Sequence, residues 1–168
     1  AWWLFRMTYG PHPLQEKLQL DLTGRVALVT GGAGYLGQAI SSALFELGAT
    51  VMLASRNLES CTSAAAKLSA RSAGRGEAIP LQLDVMDSNS MVGCFGSIND
   101  RYGGLNILVN NAWSGRKNSL DSITDADWLY DVEISLNAVF RGVKLGLPGL
   151  RAKRGVILNI ASMHGQLA

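Results

Sequence analysis

The feature that most constrains this chain is a short apolar run, Val26-Ala27-Leu28-Val29-Thr30, that passes directly into Gly31-Gly32-Ala33-Gly34-Tyr35-Leu36-Gly37. An unbroken aliphatic run of this length, rich in β-branched residues, reads as a strand covered on both faces, as in a parallel sheet. From Gly34 to Leu47 the apolar residues Leu36, Ile40, Ala43, Leu44 and Leu47 then fall at helical spacing, with Gly48 as the stop. A strand, a glycine turn and a helix in immediate succession let the backbone approach a pyrophosphate closely. They also aim the free N–H groups and the positive dipole end of the helix at its charge.

The unit repeats along the chain. Thr50 to Ala54 is a second strand, and Leu58 to Arg71 an Ala-rich helix closed by Gly74. Ala78 to Leu83 is a third strand, whose Pro80 favours a sheet edge because proline cannot donate to a ladder. Asp87-Ser88 can cap a helix reaching Tyr102, ended by Gly103-Gly104. Asn106 to Val109 is a fourth strand. Thr124 or Asp125 caps a long helix from about Ala126 to Leu147, stopped by Pro148 and Gly149, and Gly155 to Ile160 is a fifth strand. Alternation of this kind predicts an α/β fold of the Rossmann type, a doubly wound parallel sheet with helices on both faces. With right-handed crossovers the expected strand order is 3-2-1-4-5.

Composition narrows the function classes. Nearly half the residues are apolar and the net charge is +2, too weak and too scattered for a nucleic-acid partner. The one basic cluster, Arg151, Lys153 and Arg154, marks a helix end, where cations complement the dipole. Cys61 and Cys94 form no CxxC pair and have no histidine cluster beside them, so neither zinc nor a disulfide framework is expected. Both fall on expected helices as small hydrophobes, which suits a reducing, cytoplasmic setting. No apolar run is long enough for a membrane span, and the apolar start lacks the features of a signal peptide. Residues 1–21, with Pro11 and Pro13, read as an arm outside the fold, and Met7 is the candidate natural start. Residues 22–168 read as one incomplete Rossmann-type domain.

The glycine turn, the Val109-Asn110-Asn111-Ala112 stretch and the strand-end Ser162 together resemble the short-chain dehydrogenase/reductase family, over about Leu22 to Gly165. The resemblance implies cofactor contacts at Thr30, Gly31, Gly34, Tyr35, Leu36 and Gly37. The single-domain branch of the family has glycine where Tyr35 stands. The Gly34-Tyr35-Leu36-Gly37 spacing is instead similar to the larger branch that modifies nucleotide sugars.

At the end of the second strand the usual acidic residue is replaced by Ser55, followed by Arg56. An acid there binds the ribose hydroxyls and repels a 2′-phosphate, whereas Ser55 and Arg56 can bond one. NADP(H) is therefore favoured, with NAD(H) possible. The family resemblance places Asp84 and Val85 at the adenine, and Asn110 and the backbone of Ala112 near the rest of the cofactor, with Asn111 in a structural role. Trp113 stands where the family has a fourth-position glycine.

The family also carries a Trp, an Asn seven residues on and a Phe five beyond in its long helix. Trp128 and Phe140 match, and Ser135 occupies the Asn position, where it is a candidate to hold a relay water. Asn137 lies on a different helical face. Ser162 is the position of the family's catalytic serine, a hydrogen-bond donor to the substrate oxygen rather than a nucleophile. His164 reads as a substrate-loop residue. The family's Tyr-x-x-x-Lys motif is expected a little over a dozen residues beyond Ser162, past Ala168, and neither Tyr102 nor Tyr130 has a Lys four residues on. The chain is thus expected to be a front portion, without the C-terminal strands, binding cofactor weakly and not turning over alone.

The resemblance implies an oxidoreductase that moves hydride between the nicotinamide and a small-molecule carbonyl or alcohol, as a homodimer or homotetramer when complete. Two alternatives stay open: a nucleotide-sugar epimerase or dehydratase, from the Gly34 to Gly37 spacing, and a non-catalytic dinucleotide sensor, from Ser135 and Trp113.

Overall fold

The computed structural model describes residues 20–71, 76–115 and 119–162. Five parallel strands form one sheet: β1 (Val26–Thr30), β2 (Thr50–Ser55), β3 (Glu77–Gln82), β4 (Ile107–Asn110) and β5 (Val156–Asn159). Their order is β3-β2-β1-β4-β5. The helices between them are α1 (Tyr35–Glu46), α2 (Leu58–Arg71), α3 (Ser88–Tyr102), α4 (Asp125–Val132) and α5 (Ala138–Ala152). A π-helical segment, Glu133–Asn137, joins α4 to α5.

β1 shows why an unbroken apolar run was needed. Val26 and Leu28 enter the core on one sheet face, with Met91, Phe95 and Leu150. Ala27 and Val29 enter the core on the other, with Phe45, Ala64 and Leu68. Successive side chains point to opposite faces, so a strand roofed on both sides has no place for a polar side chain without partners. β3 lies at an edge, as Pro80 requires, and carries the exposed Glu77 and Gln82 at its ends. β5, at the other edge, is exposed along its whole length.

The helix ends follow local chemistry. The Asp87 carboxylate accepts from the Asn89 amide to start α3, and Gly103, at φ 66°, closes it. Thr124 and Asp127 form a reciprocal capping box at the start of α4. At the N-terminal boundary the Leu22 amide bonds the Leu47 carbonyl. The expected helix stop at Gly74, residues 1–19 of the expected 1–21 arm, and His164 lie outside the described residues.

Three expectations need correction. The inner line of α1 is Gly37, Ser41 and Phe45, while Leu36 and Ala43 face outward and Ile40 and Leu44 sit at its margin. Close approach to the sheet at the start of α1 needs small residues, which the hydrophobic pattern cannot reveal. Second, the long helix is not uniformly α-helical, because the π segment adds a residue to one turn.

Third, Pro148 does not stop the helix, which runs on to Ala152. Pro148 is exposed, so the carbonyl it leaves without an N–H partner belongs to the solvent side. Beyond it, Gly149 packs backbone to backbone on Gly104. Leu150 is buried, and the Lys153 ammonium donates to the carbonyls of Tyr102 and Gly104 at 2.5 and 2.9 Å. Tertiary contact carries the helix past its breaker. Along α5 the buried line is Ala138, Gly142, Gly146 and Leu150, which leaves Leu136 and Phe140 exposed.

Candidate functional site

The sheet reverses direction of growth between β1 and β4, and the carboxyl ends of these strands open into a cleft of ≈1110 Å³. Ligands of open α/β sheets bind at this switch point. Every site residue expected from the sequence lines the cleft except Thr30.

Thr30 lies beneath it, buried. Its hydroxyl donates to the Val109 carbonyl at 3.2 Å and accepts from the amides of Asn111 and Ala112, both at 3.0 Å. The Asn111 side-chain amide donates to the carbonyls of Thr30 and Gly31, at 2.9 and 3.3 Å. These bonds lock the tips of β1 and β4 into one frame. Thr30 is therefore a support of the turn rather than part of the cleft wall, and Asn111 has the structural part expected of it.

The turn itself has no room for side chains. A Cβ on Gly37 would fall almost on the Gly31 carbonyl oxygen. Gly31, at φ 65°, occupies the left-handed region that glycine takes without strain. α1 begins at Tyr35 with no side-chain cap and no acid in its first turn. Its leading amides and dipole end thus face the cleft uncompensated, which suits an anion. Tyr35 is 98% exposed.

At the end of β2, Ser55, Arg56, Asn57 and Ser60 line one end of the cleft. The Ser55 hydroxyl is already engaged, with the Asn57 carbonyl at 3.1 Å and the Cys61 thiol at 3.0 Å. Arg56 is exposed and carries the local positive charge. Asn57 caps α2 through the Ser60 amide. Asn57 and Ser60 were not singled out from sequence; their signal was an Asn directly ahead of the expected helix start at Leu58, the position that caps a first-turn amide.

Asp84 uses one carboxylate oxygen to accept from the Met86 amide at 3.0 Å, while its own amide donates to Ser90. The carboxylate is thus held in the loop rather than wholly offered to a ligand.

The other end is built by β4, β5 and the π segment. The Asn110 side chain donates to Asn159 at 2.8 Å, tying the two strand tips, and still lines the cleft. Ser135 and Ser162 both open onto the cleft and are both exposed. Ile134, from the π segment, is buried behind Ser135. Asn137 turns away from the cleft, its amide on the Glu133 carboxylate at 2.6 Å. Trp113 stands at the mouth, 70% exposed, its indole against the backbone of Gly115.

Neither cysteine offers a nucleophile. Both are buried, and burial pushes the Cys94 thiol up to about 12. Among the described residues no cluster of His, Cys, Asp or Glu could hold a metal, and no helix is long and apolar enough to cross a membrane.

Comparison with known proteins gives one consistent answer. The family model for short chain dehydrogenases matches residues 25–168. The 3-oxoacyl-[acyl-carrier-protein] reductase FabG of Vibrio harveyi is 35% identical over 149 residues, 88% of this chain and 59% of that protein. Among solved structures, a metagenomic short-chain oxidoreductase in complex with NADP superposes with a TM-score of 0.77 at 30% identity, covering 89% of this chain and 66% of that one. L-sorbose reductase from Gluconobacter frateurii, complexed with NADPH and L-sorbose, gives 0.78 at 28% identity, covering 87% and 55%. The chain spans a little over half the length of the curated relatives it matches.

Proposed function

Because the chain belongs to the short-chain dehydrogenase family, we propose that it forms the nucleotide-binding part of an NADP(H)-dependent oxidoreductase that interconverts a small-molecule carbonyl and alcohol. One observation carries the reading. A single cleft at the sheet's switch point is lined by a basic strand end, an uncapped helix start behind a glycine turn, and a serine just past the end of β5. These three features match, in order, a 2′-phosphate, a pyrophosphate and a substrate oxygen. The relatives support the choice of cofactor, since the two solved structures contain NADP and NADPH.

The residues fit the group. The glycine turn is a cradle that a Cβ at Gly37 would destroy. The leading amides of α1 hold the pyrophosphate without any reorganisation. Arg56 pairs with the 2′-phosphate; Ser55, already donating within its own turn, sets the loop that carries it. The Val85 region flanks the adenine. When bound, the nicotinamide supplies the hydride chemistry, and the protein positions its partner. Ser162 donates to the substrate oxygen and steadies the charge that develops there. Ser135, presented to the cleft by the π segment, holds a water. Trp113 narrows the mouth.

The cofactor assignment is tested by titrating the chain with NADPH and NADH by calorimetry. NADPH binds more tightly, and Arg56→Ala weakens NADPH roughly tenfold or more, the worth of a charge-assisted contact, while leaving NADH unchanged. Equal affinities for the two, unmoved by the substitution, defeat the NADP(H) reading.

A further inference from the structure

One ion pair near the cleft has no part in the function proposed above. Arg141 lies on α5, and its Nη2 donates to the Val85 carbonyl at 3.1 Å, across 56 residues of sequence. The same nitrogen pairs with Glu133 Oε1 at 2.5 Å. The second Glu133 oxygen accepts from the Asn137 amide. Both charged side chains are partly exposed, at 21% and 30%, so solvent screens the pair in part. The Arg141 Nε is buried with no hydrogen-bond partner among the described residues. A guanidinium that leaves one buried donor unmet is being held where its other donors are needed.

The far end of this contact is specific. The loop after β3 is fixed locally through amides: Asp84 to Ser90, Met86 to the Asp84 carboxylate, and Asp87 to the Asp84 carbonyl. The Val85 carbonyl receives its donor from α5 instead. Asp84, Val85 and Met86 all line the cleft. The Asn137 amide first and Arg141 second lower the Glu133 carboxyl from its ordinary range, against a smaller opposing effect of burial, so the pair favours the ionised anchor.

We propose that Arg141 is a positioning residue for the adenine end of the cleft: oriented by Glu133 of the π segment, it fixes the Asp84–Met86 loop by the Val85 carbonyl. The inference rests on the nucleotide-binding reading and adds a residue that touches no ligand itself. It also gives the π segment a second task. The turn that presents Ser135 to one end of the cleft anchors, through Glu133, the strut to the other end.

The test uses the whole chain, its Arg141→Met variant, and the milder Glu133→Gln, which keeps the shape of the anchor and removes its charge. Adenosine 2′,5′-bisphosphate and reduced nicotinamide mononucleotide probe the two ends separately by calorimetry, and hydrogen exchange reads the loop directly. Arg141→Met is expected to weaken the adenosine ligand roughly tenfold, leave the nicotinamide ligand unchanged, and speed exchange of the 84–86 amides while β1 stays protected. Glu133→Gln gives the same pattern more weakly, and Arg141→Lys recovers part of the loss. Unchanged loop exchange overturns the proposal, as does equal weakening of both ligands, the mark of a general structural role. A wild-type chain that binds no adenosine nucleotide defeats the nucleotide reading. If its loop amides still quicken in Arg141→Met, the strut stands without that reading.

Discussion

β1 and β5 are both short, aliphatic and parallel, and each delivers one end of the cleft, yet their surroundings differ completely. All five residues of β1 are buried, between β2 and β4 and under helices on both faces. All four residues of β5 are exposed, and among the described residues its ladder is with β4 alone. Thus the glycine turn after β1 inherits a rigid base. Ser162, after β5, is held through the β4 ladder, the Asn110–Asn159 bond and the Ile160 amide on the Asn110 carbonyl. Strand sequence sets strand geometry; what the neighbours cover sets how firmly the geometry is held.

The contrast can be attacked by substitution. The largest effect is expected for Leu28→Ala, which removes a fully buried side chain and should cost ~2–5 kcal/mol in denaturant unfolding. If it costs no more than a surface change, β1 is not the keystone drawn here. Gly37→Val comes next. Its side chain must displace the Gly31 backbone, at ~1–3 kcal/mol, and NADPH affinity measured by calorimetry should fall on the order of 10- to 100-fold.

Smaller still is Asn159→Ala, which cuts the side-chain tie between β4 and β5, for ~0.5–1.5 kcal/mol. Smallest is Leu158→Ala on the exposed strand, below ~1 kcal/mol, the range for surface positions. Hydrogen exchange sharpens the same point: the amides of β5 should exchange long before those of β1. Comparable protection in the two strands would erase the distinction.

Much of this was legible in the sequence because it is local. The uninterrupted Val26 to Thr30, the turn glycines, the caps at Asp87 and Thr124 and the edge signal of Pro80 each report a condition within a few residues. The strand order followed from handedness.

What escaped is non-local. Thr30 has the right position for a ligand contact, but two amides just past β4, of Asn111 and Ala112, claim its hydroxyl. Nothing near Pro148 announces that Gly104 and Lys153 will hold the helix together beyond it. Nothing in the sequence around Arg141 marks it until α5 is laid beside the loop after β3. The Trp128, Ser135, Phe140 spacing was legible as letters. The π segment between the first and last of them, which sets how Ser135 meets the cleft, carries no signal in residue type.

That segment also sets the phase of everything after it. A residue added to one helical turn rotates the following helix by about 100°. Along α5, Ala138, Gly142, Gly146 and Leu150 form one buried line, and the π segment sets the phase of that line relative to α4. Deleting a single residue between positions 133 and 137 would swing the glycines at 142 and 146 out of their seats and drive bulkier side chains against the sheet. Homologues or designed variants can therefore be expected to keep the length of this five-residue segment even where one of its residues changes.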